Sequence, residues 1–344
     1  MHHQRSLPSF RSIFPPSLSK AIMSDETTTP ESSTTTSDSI SKFQSAIQSL
    51  SSILPSIPPP STALSLLHDP DISSHISTLL RDPNSGAGDN NLCRWLYDTF
   101  QSNDSDLQLV VLRFIPIISG LYLSRITLRK PLAGFEAILL SLYAHETNSR
   151  AAQAVIVNVP DLSHPSLYHE STTPAKNNAT ALHLAVVSPS LDPAGTVRST
   201  RRATIVGVAL ELYYSKICQM PEESKIDFCE FCSNWAGNYR DLEDDDEEED
   251  GNSKAIPLPW ELFQPILRIL GHCLMGPIRK MEVLEAAMGA CRSLHARSLH
   301  DISPKAILAT ESLLKLANMA LDQNDVLGED DPTEIRFSNV ISYD

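Results

Sequence analysis

Between Asp104 and Leu128 the chain is apolar around almost the whole circumference of a helix, yet it carries two arginines and a proline. Leu107, Val110, Phe114, Ile117 and Leu121 recur at helical spacing and form one stripe, and Val111, Ile115 and Ile118 form the stripe beside it. A helix this greasy must lie inside a helical layer, with neighbours on two sides. Arg113 and Pro116 count against a membrane span, and no run of 18 apolar residues occurs anywhere in the chain. Pro116 has no N–H for the helix ladder and its ring crowds the preceding turn, so a kink is expected there.

The flanking segments read as further helices. Residues 71–81 place Ile72, Ile76 and Leu79/Leu80 at helical spacing, and Leu92, Cys93, Leu96 and Phe100 do the same after a Pro/Gly/Asn-rich stretch, 83–90, read as an exposed loop. Residues 132–146 point Phe135, Ile138, Leu139 and Leu142 inward. Ala154 to Val159 is β-branched and continuous, and Leu182, Leu184 and Val186 alternate with His183, Ala185 and Val187, so two short paired strands are predicted. Helices resume over 198–219 and 222–236, and three more close the fold at 258–275, 277–298 and 303–322. In the second of these three, Ile278, Met281, Leu284, Met288, Cys291 and His295 share a face; in the third, Ile307, Leu314, Ala317 and Leu321 do. No motif repeats at a period of 30–50 residues, which argues against a tetratricopeptide array. The fold class is therefore mainly α: an irregular antiparallel helical bundle over 61–322 with a short two-strand or loop insertion at about 154–187.

Outside this body the sequence is polar. Residues 24–38 are nearly all Ser, Thr, Asp and Glu, too poor in apolar surface to offset the entropy of ordering, and are read as disordered. One short helix is expected from Ile40 to about Leu54, with Phe43, Ile47, Leu50 and Leu54 on one face, stopped by Pro55 and Pro58-Pro59-Pro60. Residues 1–22 hold Arg5, Arg11 and Lys20 and no acid, as organelle transit peptides do, but Pro8, Pro15 and Pro16 break any amphipathic helix. They are read as a non-structural leader, with Met23 an alternative start and organelle import the competing reading. The run 241–250 contains nine acids, and removing it takes the net charge from −15 to −6. Like charges this dense hold a segment open, so it is read as an acidic loop within the helical body. Residues 323–344 are read as an acidic flexible tail.

The acidic balance argues against nucleic-acid binding through phosphate neutralisation. Six cysteines scattered through apolar segments match a reducing compartment. Cys229 and Cys232 form a CxxC inside a helical stretch with Phe228 and Phe231 interleaved, and are read as packing residues rather than a redox or zinc site. His164, His169 and His183 form neither HxH nor HExxH and are read as surface or turn histidines. His295 and His300 flank a helix end, where a cation suits the dipole. The cluster Arg198, Arg201 and Arg202 is read as a solvated helix start, since three arginines alone do not anchor a protein on lipid. No nucleophile elbow, phosphate loop or dinucleotide fingerprint occurs. No catalytic residue, cofactor or metal is expected.

The segment Leu107 to Glu170 carries a more specific signal. The runs Leu107-Gln-Leu-Val-Val-Leu-Arg-Phe-Ile-Pro116 and Glu136-Ala-Ile-Leu-Leu-Ser-Leu-Tyr143 are followed by Pro160, Leu162, Ser163, Pro165, Ser166, Tyr168, His169 and Glu170 in a Pro-x-Leu-Ser-x-Pro-Ser-x-Tyr-His-Glu pattern. This resembles the hyccin family, and the likeness extends over about 61–322. The acidic run 241–250 and the leader before Met23 depart from the family pattern, and the Ser/Thr-rich composition suits a plant member.

The resemblance implies a non-catalytic scaffold subunit that binds a tetratricopeptide-repeat protein. Through that partner it joins a phosphatidylinositol 4-kinase of the type III alpha class and a lipid-anchored membrane subunit, in the cytoplasm and peripherally at the plasma membrane. The competing enzymatic reading is a soluble hydrolase using the loop 163–170, with His169 and Glu170 converging on Ser163 or Ser166.

Overall fold

The computed structural model describes residues 32–55, 58, 60–160, 182–193, 201–237, 259–276 and 280–327. The chain divides into two compact units, Met1–Ser41 and Lys42–Asp344. In the first, residues 32–41 are the opening turns of α1 (Ser32–Ile53), where the Ser41 hydroxyl donates to the Asp38 carbonyl at 2.8 Å. The apolar spacing starts this helix at Ile40 and leaves 24–38 unstructured; it begins instead at Ser32. Extending a helix costs far less per residue than nucleating one, so a polar stretch ahead of an apolar face can join it. The leader 1–22, Met23 and the run 241–250 lie outside the described residues.

Among the described residues the chain holds twelve α-helices and one two-stranded antiparallel sheet. The second unit takes up α1 from Lys42, with Ile47, Leu50 and Leu54 buried as their spacing requires. Then come α2 (Ala63–His68) and α3 (Pro70–Arg81). α2 was not expected; a reciprocal Thr62–Ser65 capping box holds so short a helix. Asp69 caps α3, accepting from Ile72 N at 2.9 Å, and Ile72, Ile76 and Leu80 are buried while Leu79 faces out.

α4 (Asn91–Gln101) is capped by Asn90 and buries Leu92, Cys93, Leu96 and Phe100. The expected kinked helix at 104–128 is two helices, α5 (Ser105–Arg113) and α6 (Ile115–Leu128), bent by 47° at Phe114. Pro116 sits in the first turn of α6, where its missing N–H costs least. α7 (Ala133–Ser149) buries all four predicted residues. The strands β1 (Val155–Pro160) and β2 (Leu182–Ser188) pair antiparallel, as the alternation predicts.

The stretch expected as one helix to residue 219 is α8 (Arg202–Ser215) followed by a 3-10 turn (Ile217–Gln219); α9 (Glu222–Ala236) matches its prediction. α10 (Trp260–Met275), α11 (Met281–His300) and α12 (Pro304–Leu327) complete the body, and α12 runs five residues beyond the expected 322. Two predicted faces shift. Met281 is exposed at the start of α11, and α12 buries Ala306, Leu313 and Ala317 while Ile307 and Leu314 are half-buried.

One continuous core joins these helices. α6 packs against α3, α8 and α9, which supplies the neighbours that a helix apolar on all sides requires. α9 in turn packs on α10 and α11, and α12 on both of those. No single described helix is long and apolar enough to cross a membrane.

Two arginines fix the apolar centre. Arg113 is buried; its guanidinium donates to the Leu67 carbonyl and, at 2.6 Å, to the Ser73 hydroxyl, with the Glu223 carboxylate 3.6 Å away. The Ser224 hydroxyl donates to the Arg113 carbonyl at 2.6 Å and meets the buried Tyr213 hydroxyl at 3.1 Å. Arg125 donates to the Ser85 carbonyl, the Ser85 hydroxyl at 2.8 Å and the Asp82 carbonyl at 2.7 Å, and lies 5.0 Å over the Phe135 ring. The stretch 83–90 is therefore not wholly an exposed loop: Ser85 and Gly86 are buried, drawn in by Arg125.

Candidate functional site

The ribbon β1–β2 leads toward the family-signature motif, and its base is heavily built. α7 ends at Arg150, and Ala151 and Ala152 follow in left-handed conformation, φ 48° and 58°. Ala152 N donates back to Thr147 O at 2.8 Å, closing the helix, while Ala152 O accepts from Leu191 N at 3.2 Å. Leu191 is buried, and Asp192 N donates to the Tyr143 hydroxyl at 3.1 Å. Both ends of the ribbon are thereby tied to α7.

A chain of alternating charge reinforces this base. Arg150 donates to the Ser188 hydroxyl at 2.5 Å and lies 3.4 Å from Glu146 and 4.0 Å from Glu211; Arg268 reaches Glu211 at 3.4 Å and sits 5.2 Å over the Tyr214 ring. Burial pushes the Glu211 carboxyl up from its ordinary value, against the pull of Arg268 and Arg150. An ion-pair network removed from water contributes little net stability but fixes register, because each charge can be satisfied in one arrangement only. No spacing in the sequence announces it. The available signal is that Glu211 is a lone acid within an apolar helix, where a charge needs a partner.

Beyond the base the ribbon is apolar and exposed. Ile156 stands opposite Val186 and Asn158 opposite Leu184 on one face, with Val157 opposite Ala185 on the other. Leu184 is 73% exposed, and Ile156 and Val186 are each 55% exposed. Between Val155 and Pro160 no side chain is ionisable, and between Leu182 and Ser188 only His183 is. The charges that usually guard a free strand edge are absent from these strands.

Of the signature residues, Pro160 ends β1 opposite Leu182. Leu162, Ser163, Pro165, Ser166, Tyr168, His169 and Glu170, with His164, lie outside the described residues, so the geometry of the proposed hydrolytic loop is not placed. Arg198 also lies outside them, while Arg201 pairs with Asp192. His295 meets the Thr310 hydroxyl at 2.9 Å, and His300 meets Asp301 at 3.1 Å.

Cys229 and Cys232 are buried on α9, as packing residues would be, and Cys273 and Cys291 are buried on α10 and α11. No group of three His, Cys, Asp or Glu among the described residues is arranged to hold a metal ion. Among the clefts between the described helices are one of about 290 Å³ between α3, α6 and α9 and one of about 560 Å³ bordered by α2, α5, α9, α10 and α11. In the second, Glu222 is held by Lys280 at 2.7 Å and Glu223 by Arg113.

A family model described as Hyccin matches residues 60–337. The chain belongs to the hyccin family. The hyccin match takes in every helix from α2 to α12, both strands and the run that carries the signature pattern. Its start coincides with the end of the proline run, where the packed helices of the second unit follow. What hyccin membership supports is the role of a subunit in a protein complex.

Proposed function

We propose that this hyccin-family chain is a non-catalytic scaffold subunit of a phosphatidylinositol 4-kinase assembly of the type III alpha class. In this reading it binds a tetratricopeptide-repeat protein and, through it, the kinase and a lipid-anchored subunit at the plasma membrane, supporting phosphatidylinositol 4-phosphate synthesis. The observation that carries the proposal is the hyccin match over 60–337. The described structure supports it physically. Buried Arg113, Arg125 and Glu211 are engaged in holding helices together. Meanwhile the ribbon exposes Ile156, Leu184 and Val186 to solvent, and exposed apolar surface of this kind is characteristic of proteins that work in complexes.

Affinity purification of the tagged full chain from its own cells, followed by mass spectrometry, tests the reading. Recovery of a repeat protein and a phosphatidylinositol 4-kinase in fixed proportion is expected. A chain that elutes alone under gentle lysis would contradict it.

A further inference from the structure

Among the described residues the ribbon is a sheet of two strands, so each strand pairs along one edge and leaves a row of backbone N–H and C=O groups along the other. The two free edges are not equivalent. On the exposed apolar face β2 places Leu184 and Val186, whereas β1 places Ile156 and Asn158. A strand added beside β2 meets two aliphatic neighbours on that face; one added beside β1 meets an aliphatic side chain and an amide. β2 contains no proline to interrupt a ladder, and its only ionisable side chain is His183.

The chain itself supplies a segment of matching pattern. α12 ends at Leu327, and the acids Glu329, Asp330, Asp331 and Glu334 follow. The sequence then changes character. Ile335, Phe337, Asn339, Ile341 and Tyr343 alternate with Arg336, Ser338, Val340 and Ser342. Alternation with a period of two is the pattern of a strand, and it puts four large apolar side chains on one face. Helical spacing would scatter the same four around a cylinder. Arg336 is the one charge between Ile335 and Tyr343, and it falls on the opposite face. Extended, the stretch 328–334 reaches roughly 25 Å and the segment 335–343 roughly 30 Å more. A tethered segment meets its site at an effective concentration of about a millimolar, which favours the chain's own tail over a second copy.

We propose that residues 335–343 add to the free edge of β2 as a third strand, continuing the face of Ile156, Leu184 and Val186 with Ile335, Phe337, Ile341 and Tyr343. A two-stranded ribbon is marginal in water, and a third strand sharing an apolar face makes it firmer. The same pairing closes the uncharged β2 edge against other chains. The acids of 328–334 stay outside the sheet as the solvated tether.

The test is amide hydrogen exchange read by mass spectrometry on the full chain and on a chain ending at Leu327. The Leu182–Ser188 amides are expected to exchange at least several-fold faster in the shortened chain, while α6 and α9 keep their protection. In the full chain, amides of 335–343 are expected to exchange more slowly than those of 328–334, and both differences to persist on dilution. Phe337→Asp in the full chain is expected to reproduce the loss at β2. Equal β2 exchange with and without the tail, or unprotected amides across 335–343, would overturn the proposal. Protection that fades on dilution would overturn it as well, by making a second copy the occupant. Should the shortened chain fail to fold, the Phe337→Asp comparison decides.

Discussion

Arg113 shows how a cation can sit in an apolar run without leaving it. Its guanidinium satisfies a carbonyl from α2 and a hydroxyl from α3, and faces a carboxylate from α9. Removing it leaves those buried groups unpaired and opens a cavity, so Arg113→Ala is expected to cost about 3 kcal/mol of unfolding free energy, measured by urea titration. Gly86 is the matching case for backbone. It sits at φ +81°, and a Cβ there would lie 2.6 Å from the Phe135 ring. Gly86→Ala is expected to lose about 2 kcal/mol or more in the same assay, since strain and collision act together.

Asp301 makes a prediction that depends on pH. Burial pushes its carboxyl up, but hydrogen bonds from His300 and Arg297 outweigh this and hold it below its usual value of 3.8. A depressed carboxyl stabilises the fold fully above the unfolded value, and that contribution fades as pH falls through the folded one. Thermal unfolding should therefore separate the wild type from Asp301→Asn at pH 6, with the gap closing as pH falls below about 3.8. These residue-scale features were only half legible. Arg113 stood out as a charge inside the greasy run that counts against a membrane span, whereas its partners in Leu67, Ser73 and Glu223 lie far away in sequence and no local pattern names them.

At the scale of elements, periodicity carried well where burial was one-sided. Phe135, Ile138, Leu139 and Leu142 point inward because they share a face of α7, and the two strands pair because β-branched alternation suits little else. It carried poorly at boundaries. The predicted kink at Pro116 became a full break at Phe114, and the loop containing Ser85 and Gly86 was drawn inward by an arginine forty residues downstream. Long-range polar ties decide such details, and a local window does not contain them.

The ribbon depends on a few ties at its base. A two-stranded ribbon is marginal alone, and this one is fastened by Arg150 to Ser188 and by Leu191 to Ala152. Arg150→Ala is expected to speed amide hydrogen exchange in Val155–Pro160 and Leu182–Ser188 at least several-fold, while α6 and α9 keep their protection. Equal exchange in both proteins would show that the charge chain at the base does not hold the ribbon.

At the scale of the whole molecule, the packing of α6 between its neighbours and the hyccin match over 60–337 lead to one picture: a helical body with one continuous core and an exposed apolar ribbon. The fold class was legible because helical spacing recurs through most of the chain. The candidate site was legible only as a motif, since Pro160 alone of its residues falls within the described structure. The phosphatidylinositol 4-kinase activity that accompanies the tagged full chain out of cells, set beside that of the recombinant chain alone, tests the central claim most directly. The account predicts lipid phosphorylation in the cellular eluate and none from the isolated chain. Turnover by the isolated chain, or a cellular eluate without kinase activity, would contradict it.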